Sequence, residues 1–307
     1  MKPSIICLMG ATASGKTPLA VQMVQCFPCE IISVDSAMVY RNMDIGTAKP
    51  DQATLQIAPH RLIDFLDPAE PYSAGQFRED ALREIKDIHA QGKTPLLVGG
   101  TMMYFRILQQ GIAALPPANK IIRDELSARA QREGWENLHA ELAKVDRIAA
   151  EKINPRDSQR IQRALEIYLL TGKNITQWQQ ESTYPLADYQ VHNLALAVGN
   201  RKHLHERIAR RFDQMLAQGL IEEVKKLYQR GDLNTDLPSI RSVGYRQVWD
   251  YLSGIISKEV MREQAIAATR QLAKRQITWL RSWPNLKWLD AEASDLTDQM
   301  VKLLSSS

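Results

Sequence analysis

Residues 10–17 read Gly10-Ala11-Thr12-Ala13-Ser14-Gly15-Lys16-Thr17. They match G-x-x-x-x-G-K-[ST], the spacing of a phosphate-binding loop. An apolar, β-prone run at 5–9 leads into the loop, and a helix-prone run at 18–24 leads out of it. A strand, a glycine loop and a helix start together direct backbone N–H groups and the positive end of a helix dipole at one anion. We therefore expect Lys16 to neutralise phosphate oxygens and the Thr17 hydroxyl to hold Mg²⁺.

Further buried strands are expected at 30–34, 60–66, 94–101, 189–198 and 286–289, with a helix-prone segment at 73–89. This alternation predicts an α/β fold whose core is a doubly wound parallel sheet that carries the phosphate loop. Asp35 follows one of these strands, at the sheet edge where ligands bind in such folds. Its carboxylate either caps a turn, supports a Mg²⁺ site or accepts a proton in catalysis.

The strand at 94–101 ends in the glycines Gly99 and Gly100. A nucleoside triphosphatase often carries its Walker-B aspartate at the end of such a strand. Glycine in that position argues against ATP hydrolysis and for another use of the phosphate loop.

Strand signals stop between residues 116 and 187, where the helix-prone segments 121–132, 135–144 and 157–170 follow one another. An all-helical stretch between βα units cannot belong to the sheet. We therefore predict a helical insertion domain at 116–187 and a core domain formed by 1–115 and 188–307. C-terminal to the insertion, helices are expected at 201–230, 237–252 and 257–283.

Composition is that of an ordinary globular protein, with 307 residues of which 44% are hydrophobic, and the net charge of +4 permits a local basic surface. The odd count of three cysteines, Cys7, Cys26 and Cys29, favours a reducing compartment. The C-x-x-C spacing lacks the second ligand pair of a zinc site. The N-terminal apolar run is too short for a signal peptide, and no apolar run reaches bilayer length. We expect a cytoplasmic monomer without membrane contact.

Basic residues form three clusters along the chain. The clusters contain Arg156, Arg160 and Arg163; Arg241 and Arg246; and Arg270, Lys274 and Arg281. Each cluster alone is typical of a solvated helix face. Together, with glutamine and aromatic residues between them, they also suit RNA phosphates and stacked bases, so both interpretations remain open. On the helix at 201–230, Arg207 and Arg211 lie one turn apart, either facing solvent or binding a diphosphate.

Six segments in order along the chain carry a family resemblance. They read G-A-T-A-S-G-K-T; S-V-D-S-A-M-V-Y-R with M-D-I-G-T-A-K-P; L-L-V-G-G-T; R-I-x-x-R-F-x-x-M-L; I-R-S-V-G-Y-R-Q; and A-K-R-Q-I-T-W-L-R. This combination resembles the bacterial tRNA dimethylallyltransferases, also called tRNA isopentenyltransferases. Ala11 stands where that family often has proline, and Ser242 where cysteine is frequent; neither position is an expected catalytic group.

The resemblance implies transfer of a dimethylallyl group from its diphosphate to N6 of adenosine-37, beside the tRNA anticodon, with Mg²⁺ as cofactor. The target base would be flipped out of the anticodon stack. Asp35 would take the N6 proton, Thr101 would contact the diphosphate or the nucleotide, and Arg211, or Arg207 in its place, would bind the leaving diphosphate. The helical insertion would grip the anticodon stem-loop.

The family pattern also implies a set of tRNA contacts. These are Asp35, Ser36, Ala37, Met38, Thr101, Arg123, Gln159, Arg160, Ile161, Gln162, Arg163, Ile240, Arg241, Ser242, Val243, Gly244, Tyr245, Ala273, Lys274, Arg275, Gln276, Ile277, Thr278, Trp279 and Leu280.

Two other functional classes are compatible with the phosphate loop. A small-molecule kinase would use the same loop, although the chain offers no persuasive Walker-B carboxylate and a kinase has no need of dispersed basic clusters. A non-catalytic RNA-binding protein could take a nucleotide as a ligand. Label transfer from ATP without a prenyl donor would favour the kinase, and turnover that depends on Asp35 would exclude the binding protein.

Overall fold

The computed structural model describes residues 2–291 apart from 112, 114 and 181–183, together with residues 293, 296 and 299. The chain divides into two compact units, which are Met1–Leu108 with Leu186–Ser307, and Gln109–Pro185. We call them the core unit and the helical unit. The predicted domain boundaries at 116 and 187 differ from this division by a few residues. The chain leaves the core unit near the end of a helix that was not predicted from the sequence.

The core unit is built on one six-stranded sheet. Its strands are β1 Ser4–Gly10, β2 Cys29–Val34, β3 His60–Arg61, β4 Thr94–Gly99, β5 Gln190–Ala197 and β6 Lys287–Asp290. Their order is β3-β2-β4-β1-β5-β6, and every neighbouring pair is parallel. The prediction of a parallel α/β sheet is confirmed. Because all strands run the same way, the segments that follow β1, β2 and β4 lie along one edge of the sheet.

Thirteen helices are found in the described part of the chain. They are α1 Lys16–Cys26, α2 Gln52–Ile57, α3 Ala74–Ala90, α4 Met102–Gln110, α5 Lys120–Glu133, α6 Trp135–Val145, α7 Arg147–Lys152, α8 Ser158–Thr171, α9 Ile175–Gln180, α10 Arg201–Ala217, α11 Leu220–Tyr228, α12 Tyr245–Leu252 and α13 Lys258–Arg281. None of these helices combines the length and the hydropathy required to cross a bilayer.

Apolar side chains cover both faces of the sheet, because successive residues of a strand point to opposite sides. Ile5 and Met9 of β1 belong to a core cluster with residues of α3, α10 and α13. Ile6 and Leu8 belong to a second cluster with residues of α1. The helical unit has its own core, which includes Leu126, Leu138, Leu142 and Leu165.

Two helices predicted from periodicity are wrong in extent. The predicted helix at 201–230 is two helices, because Gly219 adopts a φ of +100°, a left-handed conformation that ends one helix before α11 begins. The predicted helix at 237–252 is helical only from Tyr245. The buried Ser239 hydroxyl donates to the Pro68 carbonyl at 2.6 Å, and this distant contact holds the preceding segment in turns.

The predicted strand at 60–66 is also too long. Only His60–Arg61 pairs with β2, because Leu62 and Asp64 have positive φ angles, which no strand accepts. The sequence reading missed α2, α4, α7 and α9, of which three are only six residues long. Short helices carry too few turns to establish a periodic pattern.

Candidate active site

The phosphate loop connects β1 to α1. The Lys16 ammonium folds back on the loop and donates from Nζ to the carbonyls of Gly10 and Ala11, at 2.9 and 2.8 Å. The Ser14 hydroxyl is buried and has no hydrogen-bond partner within the described ranges. α1 begins without a side-chain cap, so its first N–H groups remain available for an anion.

Two largely buried cations lie near this loop. Burial and the neighbouring charge of Arg211 lower the pKa of Lys16 to about 8, against a smaller opposing effect of Asp35. Burial also holds the pKa of Arg211 below its ordinary value, again opposed by Asp35. Neither cation has a carboxylate within ion-pair distance in the part of the chain that the structure describes. An anionic ligand would therefore relieve an unfavourable concentration of positive charge.

Two cavities open side by side on the core unit. The first, the phosphate cavity, has a volume of about 480 Å³ and is lined by Lys16, Thr17, Arg207 and Arg210 among others. The second, the apolar cavity, has a volume of about 500 Å³. Its apolar lining includes Met102, Met103, Ile208, Phe212, Met215, Leu272 and Trp279.

Residues shared by the two cavities mark the place where their contents would meet. They are Thr12, Ala13, Asp35, Thr47, Gly100, Arg211 and Gln276. The predicted proton acceptor and the predicted diphosphate-binding arginine thus line both cavities. Arg207 lines only the phosphate cavity, and its Nη2 lies 3.5 Å from the position that a β-carbon on Gly15 would occupy.

Asp35 follows β2 and is held by its own turn. Its Oδ1 accepts hydrogen bonds from the backbone N–H groups of Ala37, at 2.8 Å, and Met38, at 3.3 Å. Its Oδ2 accepts none from any residue that the structure describes. One carboxylate oxygen therefore fixes the side chain, and the other is available to a ligand.

The end of β4 lies against the end of β2. Thr101 Oγ1 accepts from the Ser36 N–H at 3.2 Å, and the Thr101 N–H donates to the Val34 carbonyl at 3.3 Å. A β-carbon on Gly99 would come within 2.0 Å of the Val34 carbonyl oxygen. This steric requirement explains glycine where a Walker-B aspartate was considered, because only glycine allows the two strand ends to approach so closely.

The predicted tRNA-contact residues of the core unit line one of the two cavities, are buried in the core, or are exposed. Lining the apolar cavity are Asp35, Ser36, Ala37, Thr101, Arg241, Ser242, Val243, Gly244, Tyr245, Arg275, Gln276 and Trp279, while Met38 lines the phosphate cavity. Ile240, Ala273 and Leu280 are buried in the core, with Ile277 packed against it. Lys274 and Thr278 are exposed.

Gln276 is buried and uses both ends of its amide within the protein. Its Oε1 accepts from the Thr12 N–H at 2.8 Å, and its Nε2 donates to the Gly100 carbonyl at 2.9 Å. The side chain therefore connects α13 to the phosphate loop and to the end of β4. The geometry assigns this residue to the support of the loop, a role that its sequence neighbourhood did not suggest.

In the helical unit, several predicted tRNA contacts are engaged in internal bonds. The fully buried Glu166 carboxylate accepts from Arg123 at 2.9 and 3.1 Å and from Arg163 at 2.7 Å. Burial acts to raise the pKa of Glu166, but these hydrogen bonds together hold it below its ordinary value. Gln162 donates to the Arg123 carbonyl and to Ser127 Oγ, both at 2.9 Å.

The remaining predicted tRNA contacts of the helical unit differ in their exposure to solvent. Ile161 is fully buried, whereas Gln159 and Arg160 are exposed. The Arg160 side chain is 70% accessible and lies 3.4 Å from the Asp157 carboxylate. Among the predicted tRNA-contact arginines of the helical unit, Arg160 therefore has the guanidinium most available to an external phosphate.

Sequence reasoning missed the apolar lining and one acidic anchor. Ile208, Phe212 and Met215 recur at helical spacing beside Arg211, a pattern that by itself predicts only a core-facing helix. Glu223, in the first turn of α11, accepts four hydrogen bonds from cavity-wall segments. No sequence pattern marked it, because its partners are distant along the chain.

Comparison with known proteins connects this geometry to a family. The family model described as IPP transferase matches residues 38–283. The chain is 57% identical over 302 residues to a tRNA dimethylallyltransferase of Coxiella burnetii, strain RSA 331 / Henzerling II, with 98% of this chain and 97% of that protein covered.

Solved structures agree with that comparison. A tRNA isopentenylpyrophosphate transferase from Bacillus halodurans superposes with a TM-score of 0.74 at 36% identity, covering 99% of this chain and 96% of that one. A eukaryotic dimethylallyltransferase acting on tRNA gives a TM-score of 0.84 at 28% identity, covering 99% and 79%. With a phosphate loop, a parallel sheet and a match over most of its length, the chain belongs to the IPP transferase family.

Proposed function

We propose that the chain transfers the dimethylallyl group of dimethylallyl diphosphate to N6 of adenosine-37, adjacent to the anticodon of tRNA. The observation that carries this proposal is the meeting of two cavities at Asp35 and Arg211. One cavity is lined by phosphate-loop residues and arginines, and the other has an apolar wall. Such a pair suits a donor with a diphosphate at one end and a small hydrocarbon at the other, next to a planar base.

In the proposed reaction, the bond between the allylic carbon and the diphosphate oxygen breaks, and its electron pair leaves with the diphosphate. The carbon becomes cation-like, and the lone pair of N6 forms the new C–N bond. Lys16 and Arg211 stabilise the negative charge that accumulates on the departing diphosphate, with Arg207 further along the same cavity. Thr101, which lines the apolar cavity next to the shared residue Gly100, would contact the diphosphate or the nucleotide.

The N6 amine is a weak nucleophile, since its lone pair is delocalised into the purine ring, and it must lose a proton as it attacks. We assign this proton to Asp35. Its Oδ1 is occupied by backbone N–H groups, so Oδ2 is the oxygen that would accept the proton from N6.

The chemistry of the loop is compatible with Mg²⁺, a hard cation that takes oxygen ligands. We propose that Thr17 holds the ion through its hydroxyl, and the buried Ser14 hydroxyl offers a second oxygen that lacks a partner within the described ranges. When bound, Mg²⁺ would supply further neutralisation of the diphosphate charge.

The acceptor is proposed to be the anticodon stem-loop. Its flipped base would enter the apolar cavity, and Arg241 and Arg275, which line that cavity, would contact the RNA. The helical unit would contribute further RNA contacts through exposed residues such as Arg160. We place the protein in the cytoplasm as a monomer, a setting consistent with its three free cysteines.

Mass spectrometry of nucleosides tests this function. Unmodified tRNA is incubated with the protein, dimethylallyl diphosphate and Mg²⁺, then digested, and N6-(dimethylallyl)adenosine is the expected product. Replacing the donor by γ-labelled ATP should transfer no label; transfer of label would instead establish a phosphotransferase. Asp35→Asn keeps an oxygen for the Ala37 and Met38 N–H groups but removes the base, so we expect turnover to be lost while tRNA affinity persists.

A further inference from the structure

The loop at 44–48 forms part of the wall of both cavities. Gly46 and Thr47 line the apolar cavity, and Thr47 and Ala48 line the phosphate cavity. Residues 41–51 contain no helix or strand. Hydrogen bonds within the loop, such as that from the Ala48 N–H to the Ile45 carbonyl at 3.0 Å, shape its turns, and contacts with other parts of the core unit hold it against the cavities.

Glu223 provides those contacts in the middle of the loop. Its Oε2 accepts from the N–H groups of Asp44, at 2.9 Å, and Ile45, at 2.7 Å, and its Oε1 accepts from the Gly46 N–H at 3.1 Å. Three consecutive backbone donors thus converge on one carboxylate. Hydrogen bonds to a charged acceptor are stronger than neutral ones, so the carboxylate is well suited to fix an irregular loop.

The same carboxylate reaches the segment that begins α12. The fully buried Tyr245 hydroxyl donates to Glu223 Oε1 at 2.5 Å. Burial and the charge of Glu223 raise the pKa of Tyr245, which therefore stays protonated as a donor. Tyr245 and the preceding residues 241–244 also line the apolar cavity. Glu223 consequently joins two walls of that cavity through one side chain.

A second anchor holds the end of the loop. Lys49 Nζ donates to the Tyr40 carbonyl at 2.9 Å and to the carboxylates of Asp44, at 2.5 Å, and Asp64, at 2.7 Å. Residues 44–46, which precede this anchor, are held by Glu223. Loss of the Glu223 carboxylate would release the Gly46 and Thr47 wall without detaching the loop as a whole.

We propose that Glu223 is a positioning residue for the transfer reaction. It contacts no reacting atom; it fixes the Gly46 and Thr47 wall against Tyr245, so that the two bound substrates meet at Asp35 in an attack geometry. Thr47, like Asp35 and Arg211, lines both cavities. Displacement of this wall would therefore disturb the alignment of the two substrates more than it would weaken the binding of either one. The inference rests on the function proposed above.

The test compares Glu223→Gln with Glu222→Gln in the otherwise complete protein. The two residues are adjacent in the first turn of α11, but Glu222 is exposed and accepts no hydrogen bond from the described residues. Glutamine keeps the shape of Glu223 but replaces one acceptor oxygen by an NH₂ group that faces N–H donors. We expect the single-turnover rate constant to fall by about 10- to 100-fold, because small displacements of aligned reactants cost that much.

The dissociation constants of tRNA and dimethylallyl diphosphate should each change by less than about threefold, and Glu222→Gln should match the parent protein. Hydrogen exchange of residues 43–48, measured without substrates, should be faster in Glu223→Gln alone. With the protein in saturating excess over tRNA, the single-turnover rate constant does not depend on the folded fraction, so a merely structural loss would leave the rate constant unchanged. That result would overturn the inference.

Tyr245→Phe provides a second variant should Glu223→Gln fail to fold. It removes one of the four hydrogen bonds to Glu223 and leaves the three backbone bonds in place, so we expect a smaller loss in the same rate constant. A parent-like rate constant together with parent-like exchange at 43–48 would contradict the proposal. If the parent protein forms no dimethylallyladenosine, the proposed function is wrong. If the parent protein is active and the variants have the same rate constant as the parent, only the positioning role of Glu223 is wrong.

Discussion

Arg211 of the core unit and Arg163 of the helical unit are the same residue type in opposite circumstances. Arg163 donates to the buried Glu166 carboxylate at 2.7 Å and to the Pro116 carbonyl at 2.6 Å. Arg211 has neither an ion pair nor a hydrogen bond within the described ranges, although it is largely buried and its pKa is lowered by that burial. The protein itself supplies hydrogen-bond acceptors to Arg163, whereas Arg211 is available to bind an anionic ligand.

The contrast between the two arginines distinguishes a ligand-binding site from a structural network. Breaking a buried ion pair destabilises a protein, because it leaves one charge desolvated and unpaired. Removing a largely buried cation that has no carboxylate partner leaves no other charge unpaired. Its main consequence is the loss of a contact with the ligand. Stability and activity should therefore respond in opposite ways in the two units.

Among the tests of this comparison, the largest effect is expected from Lys16→Ala. Single-turnover transfer should fall by about 10³-fold, since the leaving diphosphate loses a preorganised cation. The free energy of unfolding should not decrease, because burial disfavours the charged form of this lysine, as its pKa of about 8 indicates. Stopped reactions and urea unfolding measure the two quantities. Lys86→Ala, at an exposed position of α3, is the matched control. Near-parent turnover would remove the loop from the mechanism.

The comparison itself is tested by Arg211→Ala and Arg163→Ala. Arg211→Ala should lower single-turnover transfer by about 10²-fold and leave the urea midpoint unchanged. Arg163→Ala should lower the free energy of unfolding by about 2 kcal/mol, because Glu166 retains Arg123 as a partner, and it should leave the rate constant of transfer unchanged. The reverse pattern would show that the two arginines have been assigned to the wrong roles.

Raising the pH should weaken the donor side of the reaction. In the protein without substrate, Lys16 is protonated below about pH 8 and attracts the diphosphate. Above about pH 8 it becomes neutral, whereas an ordinary lysine stays charged up to about pH 10.5. We expect kcat/KM for dimethylallyl diphosphate to fall about tenfold per pH unit above 8, as the protonated fraction does. In Lys16→Arg that falling limb should disappear, because guanidinium does not titrate in this range. A limb unchanged in Lys16→Arg would assign it to another group.

The smallest effect is expected from Arg160→Ala. Loss of one exposed phosphate contact should weaken tRNA binding several-fold and reduce the slope of log affinity against log salt by about one. Filter binding over a salt series measures both. Arg147→Ala, an 86% exposed arginine of the helical unit that pairs with Glu151, serves as control. An unchanged slope would place Arg160 in solvent during binding.

Local patterns predicted much of the fold correctly. The strand before the phosphate loop, the loop itself and the helix after it follow from spacing and apolar runs within a short stretch of chain. The predicted strands at 30–34 and 189–198 agree with β2 and β5 to within one residue at each end. The same approach overextended the helices at 201–230 and 237–252, because their limits depend on a left-handed glycine and on a contact between Ser239 and Pro68.

The roles of individual site residues were less predictable. Gln276, Tyr245, Arg123 and Arg163 stood among the expected tRNA contacts, yet each directs polar atoms to another part of the protein. Their sequence neighbours look like a surface for RNA, and the partners that engage them lie between 3 and 264 residues away. The tRNA-contact assignments remain predictions that the variants above can test.

The phosphate loop, the parallel α/β core and the residue types at its edge could be predicted from local patterns, because loop spacing and hydrophobic periodicity act over short distances along the chain. The folded structure was needed to show which cations have no carboxylate partner within the described residues, which amides and hydroxyls support the loop, and which carboxylate holds the cavity wall. Those properties arise where segments far apart in the chain meet, and burial there sets both the charge balance and the hydrogen bonds.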